Sequence, residues 1–210
     1  MENNLNLVIV KKAIFDSIYH WQNSESRLSD VLIGFSKSKN IEKYKDGYSK
    51  ILVAYSINRN FGKGSTVKKS EELLKFFKKE NFFTKIEDND FPMVIDEISE
   101  KTKTLFKGNK LLSLVTKTAF LSRPNVIPLF DDYICKTLGF RYNSREKNGF
   151  QSFYNEYKKF HDAHIIKFEK EAYEFISLVE KFQETRVIGY KFFAHRAIDK
   201  YLWITGKNMK

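Results

Sequence analysis

The sequence holds a single cysteine, Cys135, so no internal disulfide can form, which fits a reducing compartment. Three prolines and nine glycines punctuate 210 residues. So few breakers argue against a turn-rich β fold and for long helices. No run approaches the ~18 apolar residues of a membrane span. The opening stretch, MENNLNLVIVKKAIF, has only a short apolar run before Lys11 and Lys12, without the basic start and cleavage pattern of a secretory signal. A cytoplasmic protein without a membrane partner is the expectation. No segment sustains the alternating polarity of a strand, and no internal repeat or low-complexity linker is visible.

What the chain does have is apolar and basic. Hydrophobic residues make up 42%, too many for a disordered tail. With 20 Phe and 11 Tyr, much of the core must be aromatic. The formal net charge of +11 and a pI near 9.5 imply attraction to phosphates or another polyanion. Lys greatly outnumbers Arg, so part of this charge is diffuse enrichment, and its location carries more information than its sum.

Apolar residues recurring at helical spacing predict helices over 4–21, from about Ser24 through 27–35, and over 41–57. Further helices are expected over 66–83, 93–103, 110–122, 131–138, one or two within 150–182, and a last one over 187–204. Pro92 suits a first helical turn, and Gly139 suits a helix stop. Residues 1–85 and 86–210 form the expected N-terminal and C-terminal regions, packed as one compact all-α unit.

The segment Lys101 to Arg123 contains six basic residues and no acidic one, the strongest local charge bias in the chain. Lys110, Ser113 and Lys117 lie at i, i+3 and i+7 and share a helix face. Leu111, Leu114, Val115 and Leu121 would face the core. Gly108 lets backbone approach a phosphate closely. Lys101, Lys103, Lys107, Gly108, Asn109, Lys110, Ser113 and Arg123 are the candidate phosphate ligands. The plain alternative is a solvated lysine face. Asp131 and Asp132 follow at a predicted helix start, where Asp also serves as an ordinary N-cap.

Helix, Gly-containing turn, basic helix, apolar connection and then Asp at the next helix start resembles the helix-hairpin-helix DNA glycosylases. More narrowly, LSLVTKTAFLSRPNVIPLFDDYICKTL is similar to the 8-oxoguanine DNA glycosylase fold, over about residues 91–140. RAIDKYLWI resembles the closing helix of bacterial proteins with that fold. The resemblance implies a DNA-binding protein that excises a damaged or modified base as a hydrolase of the N-glycosidic bond, without a cofactor. It assigns Asp131 to stabilising the sugar cation or activating water. It makes Lys110 and Lys117 the candidates for a Schiff-base nucleophile. An extruded base needs a pocket, and Phe130, Tyr133 and Trp203 are candidate aromatic walls. The alternative is a non-catalytic DNA-binding module of a repair or phage-defence system.

Other motifs carry less. Gly62 to Thr66 lacks the spacing of a phosphate loop. His161 and His164, with Glu169 nearby, have no third placed ligand, so no metal is expected. His195 and Arg196 read as surface residues or phosphate contacts. A HEPN-type ribonuclease would need Arg and His about four to six residues apart, and Arg186 to His195 is wider.

Overall fold

In a computed structural model, all described elements are helical and no strand occurs among the described residues. The structure describes residues 5–55, 65–88, 90–105, 111–142, 149–178 and 188–209. The helices are α1 (Leu7–His20), α2 (Ser26–Ser38), α3 (Ile41–Ala54), α4 (Thr66–Lys79), α5 (Phe82–Lys85), α6 (Phe91–Leu105), α7 (Leu112–Ser122), α8 (Asp132–Thr137), α9 (Gly149–Leu178) and α10 (Tyr190–Asn208). A π-helical turn, Trp21–Glu25, continues α1 into α2 where a break near Ser24 was expected. No described helix is long and apolar enough to cross a membrane.

The chain divides into two compact units that do not follow chain order. The first comprises residues 1–24, 128–142 and 153–210; the second comprises 25–127 and 143–152.

In the first unit α1 and α10 form the most extensive helix pairing. Asn6 starts α1 because its side-chain oxygen accepts from the Val8 and Ile9 amides. The inner face of α1, Val10, Ala13, Ile14, Ser17 and Ile18, is buried. So is the α10 set Phe193, Ala194, Ala197, Ile198, Tyr201 and Leu202. Helix α8 rests on α10 at very close range. A Cβ added at Gly206 would stand 2.0 Å from the Tyr133 carbonyl oxygen, so only glycine fits there. Thr137 Oγ1 donates to the Leu202 carbonyl at 2.6 Å and fixes the same crossing. Gly139, at φ 66°, ends α8: Phe140 N donates to Cys135 O and Gly139 N to Lys136 O, satisfying carbonyls the helix leaves open.

The second unit is built on an aromatic core, as the composition requires. Phe77 meets Phe82 at 4.8 Å and Phe83 at 6.0 Å, and Phe35 meets Phe83 at 5.7 Å. Helix α7 is buried over most of its surface. Its polar groups are therefore matched: Tyr48 and Thr118 share a 2.8 Å hydrogen bond, and Ser29 Oγ donates to the Leu121 carbonyl. Buried Asp96, on α6, accepts from the Phe150 and Gln151 amides at 3.0 and 2.9 Å and so caps the start of α9.

Candidate functional site

Helices α6 and α7 form a hairpin. Pro92 occupies the first turn of α6, where a missing N–H costs no hydrogen bond. After α6 the chain returns, and the Leu111 amide donates to buried Thr102 Oγ1 at 2.9 Å. Lys107, Gly108, Asn109 and Lys110 lie outside the described residues. Between Leu112 and Leu121, Ser113 and Lys117 are the half-exposed positions of α7, the face that the i, i+4 spacing selects. The Lys117 ammonium stands 5.9 Å from the Tyr55 ring centroid.

The run from Lys101 to Arg123 is free of acid in sequence but not in space. Lys101 Nζ lies 2.7 Å from both Glu80 and Glu97. The bond to Glu80 first, then that to Glu97, raises the Lys101 pKa. Lys103 pairs with Glu100 at 2.5 Å. Glu97 and Glu100 sit one turn earlier on α6, just outside the acid-free window, and Glu80 caps α4. Lys101 also lines a groove of about 380 Å³ with Lys75, Lys79, Glu72 and Glu80, which is mixed in charge. A phosphate reaching Lys101 or Lys103 must displace a carboxylate. Arg123 donates through NH1 to the Ile86 carbonyl, which ties the end of α7 to the segment after α5.

Asp131 belongs to the first unit and Lys117 to the second. Asp131 is extended (φ −146°, ψ 148°) and its Oδ1 accepts from the Tyr133 amide at 3.0 Å, so it caps α8. Its carboxylate is half-exposed. The segment leading to it is anchored from α10. The Leu129 amide donates to Asp199 Oδ2 at 3.4 Å, and Arg196 NH1 reaches the same oxygen at 3.2 Å. Arg196 is 1% and Asp199 4% exposed. Tyr157 is also buried, and burial first, then the charge of Asp199, pushes its pKa well above the ordinary tyrosine value. The expectation that Arg196 lies at the surface is therefore corrected: Arg196 and Asp199, at i and i+3, turn into the core together. That spacing of opposite charges within RAIDKYLW was the available signal.

Of the aromatic candidates, Phe130 is core. It is 4% exposed and packs edge-on against Phe153 at 5.0 Å and Tyr142 at 5.3 Å. Tyr133, 41% exposed, and half-buried Trp203 come together edge-to-face at 5.5 Å. Cys135 is buried, and burial, then Asp132 and Asp131, pushes its thiol up to about 12. A thiolate nucleophile there is unsuitable.

The histidines arrange differently from the expectation. His161 pairs not with His164 but with His195: Nε2 and Nδ1 are 2.8 Å apart and the rings stack at 4.8 Å. His161 Nδ1 lies 3.0 Å from Asp162. His164 instead packs edge-on against Phe160. No group of three metal-ligating side chains converges among the described residues. The signal for the pair was position: His161 continues the Phe153 and Tyr157 face of α9 at i+4, and His195 lies beside core residues Ala194 and Arg196. Comparison with protein-family models, curated proteins and solved structures finds no match to this chain.

Proposed function

We propose that the chain is a DNA-binding protein of the base-excision glycosylase type, acting on the N-glycosidic bond of a damaged or modified base. The observation that carries the reading is the order of parts: the α6–α7 hairpin, the connection 123–130, and Asp131 at the head of α8. In this reading Asp131 stabilises the cation left on the sugar as the base departs, and the hairpin holds the backbone. Ser113 and Lys117 supply the open face of α7. Lys117 and Lys110 are the proposed amines for any Schiff-base step. The Arg196–Asp199–Tyr157 cluster does not touch the DNA; it positions residues 128–131.

The test is incubation of the purified chain with duplexes that each carry one modified base, followed by alkali. Strand cleavage at the modified position marks excision. Binding to those duplexes without any alkali-labile site supports the non-catalytic module instead. Affinity should fall steeply between roughly 50 and 200 mM salt if several phosphates are neutralised. A flat salt response contradicts DNA binding altogether.

A further inference from the structure

We propose that the surface shared by α8 and α10 is a second nucleic-acid contact, one that stacks an unpaired base on the face of Trp203, beside Tyr133, while lysines hold the flanking phosphates. This rests on the DNA-binding reading and names a surface that the hairpin does not supply. Lys200, Trp203 and Lys207 lie at i, i+3 and i+7 and so share one face of α10. The Lys207 ammonium is 4.8 Å and that of Lys200 6.0 Å from the Trp203 ring centroid. Tyr133 meets Trp203 edge-on from α8, and Lys136, one turn further along, donates to the Met209 carbonyl. Lys136 and Lys207 form no ion pair among the described residues. The lysines of α6, by contrast, are occupied by glutamates.

The platform is rigid. Gly206 brings α10 against the Tyr133 backbone, and the bond from Thr137 to Leu202 locks the crossing. Aromatic surface interleaved with lysine suits a flexible strand better than a regular duplex. Only unstacked bases offer a free face to an aromatic ring, and such stacking is tolerant of sequence. An ammonium held over a ring by cation–π attraction exchanges that contact for a phosphate at little cost, because the exposed contact is weak. A base then takes the place over the ring that Lys207 vacates. Tyr133 is two residues from Asp131, so the stacked nucleotide would flank the one on which Asp131 acts.

The experiment uses the full chain with Trp21→Phe, which leaves Trp203 as the sole tryptophan. Trp21 packs against Phe192 at 4.6 Å in a different part of the first unit, and Phe retains that contact. Titration with oligothymidylate should quench Trp203 emission saturably. In that chain Trp203→Tyr should keep most of the affinity, and Trp203→Leu should weaken binding roughly 5- to 100-fold. Lys136→Gln with Lys207→Gln, both exposed, should lower the salt slope by about 0.7 per lysine. Binding with unchanged Trp203 emission and an unchanged salt slope overturns this surface and leaves the hairpin reading standing. No binding to any DNA overturns both. Equal quenching by polyglutamate overturns the base-stacking assignment.

Discussion

Replacing Asp199 with Asn should destabilise the protein far more than its small change in shape suggests. Asn has nearly the same volume, so no cavity opens, and its oxygen can still accept from the Leu129 amide. What disappears is the negative charge 3.2 Å from the Arg196 guanidinium. Arg196 is 1% exposed and cannot reach water without moving α10. Breaking a buried pair on one side leaves an uncompensated charge and typically costs about 3–5 kcal/mol. For a chain of 210 residues, each kcal/mol lowers Tm by about 2–4 °C, so a drop of roughly 6–20 °C is expected. Thermal melting by circular dichroism, with urea unfolding for the free energy, measures it. Adding Arg196→Met to Asp199→Asn removes the buried guanidinium as well and should recover much of the loss, a coupling that a double-mutant cycle reads directly. A single-variant cost below about 1 kcal/mol, or strict additivity in the cycle, would refute the buried-anchor reasoning.

Two further outcomes follow from local geometry and charge. Gly206→Ala should destabilise by about 1–3 kcal/mol in urea unfolding, because the obstacle is the Tyr133 carbonyl and not a side chain that can swing away. Helix propensity alone predicts the opposite sign, so a stabilised variant would show that α8 and α10 are not this close. His195 should make stability depend on pH near neutrality. Burial first, then neighbouring His161, lowers its pKa below 6.5, against the opposing pull of Glu169. The unfolded chain then binds more protons, so stability is complete above about pH 6.5 and is lost as pH falls through the folded-state value. Burial first, then Lys167, lowers His164, which adds in the same direction. Asp162, lowered first by Lys158, then by His161, acts only below about pH 4 and does not interfere. The fall in Tm between about pH 7.5 and 5.5 should be smaller in His195→Gln than in wild type; equal falls would contradict the assignment.

The helices were legible in the sequence because their signals are local. Pro92 marks the first turn of α6, Gly139 the end of α8, and the apolar spacing of α7 left Ser113 and Lys117 as its half-exposed face. Interactions that span long stretches of chain were not legible. Nothing near Leu129 announces Asp199, seventy residues away. The acid-free window is a property of sequence alone: Glu97 and Glu100, just outside it, and Glu80, 21 residues before Lys101, reach its lysines in space. With aromatic residues so abundant, type alone could not separate core Phe130 from exposed Tyr133.

The most direct test of the glycosylase reading is Asp131→Asn. Asn caps a helix as well as Asp does, so the bond to the Tyr133 amide and the fold survive while the charge is lost. On a modified-base duplex that the wild-type chain converts to an alkali-labile site, the variant should bind with similar affinity and release no base. Base release by the variant at the wild-type rate would contradict the assignment of Asp131.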